Sequence, residues 1–273
     1  MGFFDIFTQK IGISEKLKDY IYNLKMQVDF SHIFITVPSS WLKDRAQNSL
    51  LLKDKDVYLL PNYIDTEFFY PFKKDKHRIL SNFKLNVDAP IFIGFGAVGG
   101  GDNPHKGFDL LIEALENIDT KYRNRIVIIT FGSDKTDPRI LKVGCHVVNL
   151  GKLYQREQIR DAYNSMDIMI VPSRVESFGQ VAAESLACQT PVVAFEYSGI
   201  TDIVSHKKSG YLAKPFDAKD LAAGIISLID IGENERVRYG VVGRQHIVDN
   251  FGKINVAQKY LELISKVEGF IHE

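Results

Sequence analysis

One stretch near the middle of the chain, residues 167–194, most constrains the fold. Residues 167–173 are predicted to form a buried strand, because the apolar run 168–171 is closed by a Pro-Ser pair. Residues 179–187 contain alanines in a helical pattern, and residues 190–195 are again largely apolar. A strand, a loop, a helix and a strand in this order need a crossover connection, and they therefore predict a parallel sheet covered by helices.

Two glutamates interrupt this stretch. Glu176 lies in the loop just after the first strand, and Glu184 lies about one turn into the helix. Open α/β sheets bind their ligands beyond the carboxyl ends of the strands. Both carboxylates are therefore well placed to hydrogen-bond a polyhydroxylated ligand. The alternative is a loop carboxylate that caps the helix and a helix glutamate that faces water.

The residues around the two glutamates form a recognisable string. It reads Glu-Ser-Phe-Gly at 176–179, then Glu184, with seven residues between the two glutamates, then Thr-Pro-Val-Val-Ala at 190–194. This string resembles the retaining glycosyltransferases of family 4, and the resemblance extends over roughly residues 33–265. It implies the GT-B architecture, in which two Rossmann-like domains face each other across a cleft. It also implies transfer of a sugar from a nucleoside diphosphate sugar to a hydroxyl acceptor.

Composition and length limit the alternatives. The 273 residues are 45% apolar and 25% charged, with a formal net charge of zero, as expected of a soluble globular enzyme. The balanced charge argues against a nucleic-acid partner. Two full Rossmann-like domains need well over about 300 residues. The chain is therefore natively short, or truncated, or completed by a second chain.

The expected location is the cytoplasm. No apolar run approaches the roughly 20 residues that span a bilayer, and no basic start with a long apolar core indicates a signal peptide. Cys145 and Cys188 fit reduced thiols, and neither has the spacing of a metal ligand.

The first 30 residues are interpreted separately. Leu17, Tyr20 and Leu24 recur at helical spacing, which predicts an amphipathic helix. Packing on its own domain or on a partner is favoured, because Asp5 and Asp19 dilute any basic face. Peripheral contact with a membrane surface is the alternative.

The chain divides into three parts. Residues 33–62 predict a strand, a helix capped by a serine and a second strand, a unit that closes the acceptor-binding domain in the resembling family. Residues 1–70 are therefore predicted to be the remnant of an acceptor-side domain and a linker. Residues 71–252 are predicted to form the nucleotide-sugar-binding Rossmann-like domain, with a basic cluster near residue 75 interpreted as a solvated linker face. Residues 253–273 are predicted to form a crossover helix.

The donor side predicts a doubly wound order of strands and helices. Besides the central stretch, the predicted strands are 91–98, 125–131, 145–150 and 210–213, and the predicted helices are 108–117, 155–165, a helix capped by Asp217 that ends near 229, 233–250 and 253–267.

A glycine-rich turn follows the strand predicted at 91–98. Glycines let the backbone approach a phosphate, and the following helix start offers N–H groups. Lys106, just before Gly107, would add a positive charge. The resemblance implies that Lys106 contacts the donor's diphosphate and that Gly96 and Ala97 line the donor site. The alternative is an ordinary surface loop.

The chain lacks the second positively charged residue that many members of the family place near the donor's diphosphate. Many members of the family have an arginine roughly where this chain has Ala97. His105 and Arg174 are the candidates to replace it, although His105 also fits a plain surface histidine.

The resemblance assigns the sugar and the ribose to the central stretch. Glu176 and the N–H groups of Phe178 and Gly179 would hold the sugar hydroxyls, and Ser177 would cap the helix. Glu184 would bind the ribose hydroxyls, with a buried ion pair as the alternative. Glu176 and Lys106 are the catalytic candidates, because Lys106 and the helix N–H groups would stabilise the departing diphosphate.

The base would lie against the ends of the second and third donor-side strands. Gly132 and Leu153 are the candidates there, and backbone contacts would leave uracil and guanine undistinguished. Residues 198–204 resemble a loop motif of the family, with Ser198 in place of a glycine and Asp202 supporting the loop. Gln189 follows a helix where a left-handed conformation is expected.

The remaining expectations concern partners. No Asp-x-Asp or His/Cys cluster indicates a metal, so no metal cofactor is expected, and no lysine motif for pyridoxal phosphate supports a phosphorylase. The expected partners are a nucleotide sugar, a saccharide or lipid-linked acceptor, and a partner chain if one supplies the acceptor domain. The resemblance suggests bacterial polysaccharide or lipopolysaccharide synthesis at the inner face of the cytoplasmic membrane. A donor-binding half that needs a partner chain is the alternative.

Overall fold

Two parallel sheets organise the computed structural model, which describes residues 15–30, 33–72 and 76–271. The smaller sheet pairs β1 (Ile35–Val37) with β2 (Val57–Leu59). Helix α1 (Glu15–Met26) precedes it, and helix α2 (Ser40–Gln47) connects its strands. The Ser39 hydroxyl accepts a hydrogen bond from the Leu42 N–H and so caps α2, as the sequence predicts.

The larger sheet has six parallel strands. In chain order they are β3 (Ile91–Gly96), β4 (Ile126–Phe131), β5 (His146–Asn149), β6 (Ile168–Val171), β7 (Val192–Phe195) and β8 (Gly210–Ala213). Their spatial order is β5-β4-β3-β6-β7-β8. The order reverses between β3 and β6, and this confirms the predicted doubly wound α/β class.

Helices cover the larger sheet. They are α3 (Lys76–Asn82), α4 (Phe108–Glu116), α5 (Thr120–Arg123), α6 (Pro138–Leu141), α7 (Arg156–Ser165), α8 (Gln180–Ala187), α9 (Ala218–Asp230), α10 (Gly232–Phe251) and α11 (Lys253–Ile271), with 3-10 turns at Gly100–Asp102, Pro104–Lys106 and Ser198–Asp202. Helices α3, α5 and α6 are absent from the sequence-based expectation, because four to seven residues are too short for a helical period to show.

Both faces of the larger sheet are buried. Ile91, Ile93 and Phe95 of β3 face the apolar layer of α4 and α9, whereas Phe92 faces the layer of α7, α8 and α10. Residues on alternate sides of one strand thus enter two separate cores, as expected of a parallel sheet with helices on both sides. Cys188 lies in the second core, where burial raises the pKa of its thiol to about 12.

Helix α1 is confirmed, but its apolar residues are exposed. Tyr20 is 60% exposed and Leu24 is 47% exposed. Packing of this face on its own domain or on a partner, and contact with a membrane, all stay predictions.

Specific contacts join the smaller sheet to the larger one. The Asp202 carboxylate accepts hydrogen bonds from the backbone N–H of Ser40, at 2.7 Å, and from its hydroxyl. The Arg244 guanidinium donates to the carbonyl oxygens of Thr66 and Phe69 in the linker, at 3.0 and 2.8 Å. The Asp202 carboxylate therefore anchors the start of α2, whereas its predicted support of the loop 198–204 stays a prediction. The division of the chain near residue 70 stays a prediction.

Candidate functional site

The site lies where the strand order reverses. Strand β3 ends at Gly96 and β6 ends at Val171, and these neighbouring ends open at the same edge of the sheet. The loop after β3 carries Lys106 and the loop after β6 carries Glu176. The Lys106 ammonium donates to the Glu176 carboxylate at 2.7 Å, with both side chains partly buried. The structure therefore brings the two catalytic candidates together.

Gly107 explains how Lys106 reaches that position. Its φ is +65°, and a Cβ built on it would lie 1.9 Å from the carbonyl oxygen of Pro172 at the end of β6. Only a glycine lets the two loops approach so closely. The Asn103 carboxamide also accepts from the His105 N–H at 3.1 Å, which fixes the turn before Lys106.

Arg174 ties the same two loops together. Its guanidinium forms two hydrogen bonds with the Asp109 carboxylate and a third with the carbonyl oxygen of Pro104, at 2.9 Å. Its own N–H donates to the His105 carbonyl at 2.8 Å. Hydrogen bonding by Arg174 holds the pKa of Asp109 below its usual value. A diphosphate contact by Arg174 would require breaking its pair with Asp109, so the hypothesis of a second cation at Arg174 gains no support here.

The backbone of Glu176 is fixed by the 3-10 turn Ser198–Asp202. The Glu176 N–H donates to the Ser198 hydroxyl at 3.0 Å, and the Gly199 N–H donates to the Glu176 carbonyl at 2.9 Å. Ser198 is buried and has a φ of +63°, which explains why the family motif has a glycine there. The role of Ser198 was missed from the sequence, although its departure from glycine is the signal that points to it.

Helix α8 begins after two backbone N–H groups that belong to buried residues, Phe178 and Gly179. Its N-cap is Gly179, with a φ of +105° and no side-chain cap. The predicted capping role of Ser177 is therefore wrong, because the helix begins after Gly179 and the Ser177 side chain is exposed. Within the described ranges, the N–H groups of Phe178 and Gly179 donate to no protein acceptor. Their predicted role as donors to a ligand oxygen stays a prediction.

Glu184 is held by two neutral donors. The Tyr163 hydroxyl donates to one carboxylate oxygen at 3.0 Å, and the Gln180 carboxamide donates to the other at 2.8 Å. Burial raises the pKa of Glu184 above its usual value. The alternative of a buried ion pair is wrong among the described contacts, since both groups that hold the carboxylate are uncharged.

The ends of β3, β4 and β5 meet through glycines at the predicted base position. The Gly99 N–H donates to the Gly132 carbonyl at 3.2 Å, and the Gly132 N–H donates to the Gly151 carbonyl at 2.8 Å. A Cβ at Gly132 would lie 2.2 Å from the carbonyl oxygen of the buried Ala97. Leu153 is half-buried against the core beside them. The donor-binding candidates on this side therefore lie along one continuous edge.

Two further observations concern metals and membranes. Among residues 15–30, 33–72 and 76–271, no three His, Cys, Asp or Glu side chains are grouped so as to hold a metal ion. Within the same ranges, no helix has both the length and the apolar character needed to cross a membrane.

Comparison with known proteins places the chain in a family. The family model of glycosyl transferases group 1 matches residues 95–246, more than half of the chain. The chain therefore belongs to the glycosyl transferases group 1, and this confirms the resemblance found in the sequence.

Individual relatives agree with this family. An uncharacterized glycosyltransferase of Methanocaldococcus jannaschii is 32% identical over 77% of this chain and 67% of its own length. The alpha-maltose-1-phosphate synthase of Mycolicibacterium smegmatis is 27% identical over 84% of this chain and 62% of its own length. A D-inositol 3-phosphate glycosyltransferase of Catenulispora acidiphila is 31% identical over 61% of this chain, which spans 41% of that relative.

Solved structures share the fold. Sucrose-phosphate synthase of Thermosynechococcus elongatus superimposes with a TM-score of 0.73 at 21% identity, over 95% of this chain and 65% of that one. Anabaena HepE in complex with UDP and glucose gives a TM-score of 0.69 at 19% identity, over 94% of this chain and 68% of that one. The fold is therefore of the predicted GT-B type, and this chain matches about two thirds of those two structures.

Proposed function

We propose that the chain binds a nucleoside diphosphate sugar at the Lys106–Glu176 edge and transfers the sugar, with retention, to a hydroxyl acceptor. The observation that carries the proposal is the 2.7 Å contact between these two side chains at the point where the strand order reverses. Open α/β sheets bind nucleotides at this point. The family membership of the chain and the UDP complex of HepE support the same ligand class.

Charge explains how the site would act. A bound diphosphate would take the ammonium of Lys106, and this would free Glu176 to accept hydrogen bonds from sugar hydroxyls. The N–H groups of Phe178 and Gly179 would add donors at the helix start, where the helix dipole favours negative charge. Catalysis would then consist of stabilising the departing diphosphate while the sugar is held in place.

The biological setting follows from the resemblance alone. We infer an acceptor that is a saccharide or a lipid-linked saccharide, in polysaccharide or lipopolysaccharide synthesis at the cytoplasmic face of the membrane. The exposed apolar residues of α1 support a peripheral contact with that membrane.

Calorimetric titration with UDP, GDP, ADP and TDP tests donor binding. At least one nucleotide should bind, and Glu184→Ala should weaken it, because the ribose hydroxyls lose their acceptor. Glu176→Ala should leave nucleotide affinity nearly unchanged but reduce transfer from the matching nucleotide sugar. Equal nucleotide affinity in the wild type and in Glu184→Ala would remove the ribose role.

A second candidate is a donor-binding half that needs a partner chain for transfer. It is favoured by the small apolar cluster of the acceptor side, where the buried members are Val37, Ala46 and Val57. Turnover assays with several nucleotide sugars, with and without candidate partner chains, separate the two functions. Donor binding without transfer or hydrolysis by the chain alone would favour the second.

A further inference from the structure

We infer that Tyr163 and Gln180 are positioning residues that orient the Glu184 carboxylate toward the two adjacent hydroxyls of a ribose. The inference rests on the proposed nucleotide-sugar function and extends it to the recognition of ribose over deoxyribose. Tyr163 comes from α7 and Gln180 from the first turn of α8, so the arrangement joins two elements that are separate in the sequence.

The phenol of Tyr163 is held rigidly. The residue is fully buried, and its ring makes edge contacts with Phe69 and Phe131, with centroids 6.2 and 5.9 Å away. Its hydroxyl lies 3.0 Å from one oxygen of Glu184. A phenol fixed on both sides by aromatic rings has little freedom to turn elsewhere, so the position of this oxygen is fixed as well.

Each of the two donors binds a different oxygen of the Glu184 carboxylate. The Tyr163 hydroxyl binds one oxygen and the Gln180 carboxamide binds the other, at 2.8 Å. An ionised carboxylate has about four acceptor positions, two on each oxygen. One position therefore remains on each oxygen, and a ribose offers two neighbouring hydroxyl donors to fill them.

Neutral donors suit this task better than a cation. A lysine or arginine paired with Glu184 would compete with the ribose hydroxyls for the carboxylate. A phenol and a carboxamide stabilise the anion and still leave it able to accept more hydrogen bonds. A nucleotide without the two hydroxyls leaves those acceptor positions without a protein or ligand donor, so it binds more weakly.

Tyr163→Phe tests the inference, because it removes only the hydroxyl and keeps the ring contacts with Phe69 and Phe131. The probe is whichever of UDP, GDP and ADP binds the wild type most tightly, together with its 2′,3′-dideoxy analogue. Titration calorimetry should show affinity for the ribonucleotide falling about tenfold, as for the loss of a hydrogen bond to a charged group. Affinity for the dideoxy analogue should stay the same.

The pH dependence provides a second readout. The ionised Glu184 carboxylate accepts hydroxyl hydrogen bonds more strongly than the protonated acid, which keeps one weaker acceptor oxygen. Ribonucleotide affinity should therefore weaken as the pH falls through the pKa of this carboxyl. Without the phenol the anion is less stable, so in Tyr163→Phe the loss should begin at a higher pH. Tyr122→Phe is the matched control, because its hydroxyl contacts Asp230 on the far side of the domain and should change neither readout.

Two kinds of negative result distinguish a failure of the positioning role from a failure of the proposed nucleotide-sugar function. Equal weakening of the ribonucleotide and the dideoxy analogue, or an unmoved pH profile, would overturn the positioning role. Failure of every nucleotide to bind the wild type would instead overturn the proposed function. If Tyr163→Phe does not fold, the exposed Gln180→Ala carries the same test, with the same expected loss of ribose preference.

Discussion

The two parallel sheets of this molecule are built alike but enclose very different cores. Each contains a strand, a helix and a parallel strand. The larger sheet buries apolar side chains on both faces, whereas the cluster of the smaller sheet has three buried residues and leaves Leu50 67% exposed and Leu59 41% exposed. The same local pattern therefore gives the same local structure, but it does not by itself provide a stable core.

The candidate catalytic and binding residues all belong to the larger, better-packed sheet. Lys106, Glu176 and Glu184 all lie on loops and helices of the larger sheet. The smaller sheet reaches them through Asp202, whose carboxylate binds the start of α2 and whose turn also contains Ser198. The smaller sheet thus depends on the larger one for its position, and the following substitutions test that dependence.

The largest effect is expected from Lys106→Ala on the larger sheet. Sugar transfer should fall about 100- to 1000-fold, in the range found when one donor to a developing negative charge is removed. Steady-state kinetics with the nucleotide sugar identified by calorimetry measure it. Lys142→Ala, which removes an exposed lysine after α6, is the control. A loss below about tenfold would place the diphosphate elsewhere.

Matched core substitutions compare the two sheets directly. Leu111→Ala, in the fully buried core of the larger sheet, should lower the free energy of unfolding by about 3 kcal/mol. Leu52→Ala, at the partly buried edge of the smaller cluster, should lower it by only about 1 kcal/mol. Urea unfolding of both variants measures the difference. Equal losses would show that the smaller sheet is as well packed as the larger.

Substitutions of Ser198 test whether its hydroxyl positions Glu176. Ser198→Ala removes the hydroxyl that accepts from Glu176 but keeps a left-handed residue, so transfer should fall about tenfold. Ser198→Gly should lose the same activity yet be about 1 kcal/mol more stable than Ser198→Ala, because glycine adopts a positive φ without strain. Kinetics and thermal unfolding together separate the two effects. Full transfer activity in both variants would contradict the positioning of Glu176 by this hydroxyl.

The smallest effect is expected from Asp202→Ala. It removes the acceptor for the Ser40 N–H, and the loss of such a cap at an exposed helix start is worth about 0.5 kcal/mol. Hydrogen exchange should become faster in residues 40–47 and stay unchanged in β3. Uniform acceleration in both places would show that the two sheets unfold as one unit.

Local patterns predicted much of this fold. The apolar runs located all the strands of the larger sheet within two residues, and Asp217 was placed correctly as the cap of α9. Gln189 has the expected left-handed conformation, with a φ of +59°. These features depend on neighbours in the chain, which a sequence displays directly.

Contacts between residues far apart in the sequence could not be predicted from local sequence patterns. The pairing of Arg174 with Asp109 and of Tyr163 with Glu184 joins residues 65 and 21 positions apart. Nothing in the local pattern identifies such partners, because they meet only when the sheet edge forms. The capping role of Ser177 failed because Gly179, two residues later, is the N-cap of α8 and has a left-handed backbone with no side-chain cap.

The central claim is that one nucleoside diphosphate sugar contacts Lys106, Glu176 and Glu184 together. A crystal structure with the nucleotide selected by calorimetry tests this most directly. The diphosphate should lie within hydrogen-bond distance of the Lys106 ammonium, and the ribose hydroxyls should contact the Glu184 carboxylate. A nucleotide bound away from the ends of β3 and β6, with the Lys106–Glu176 contact intact, would contradict it.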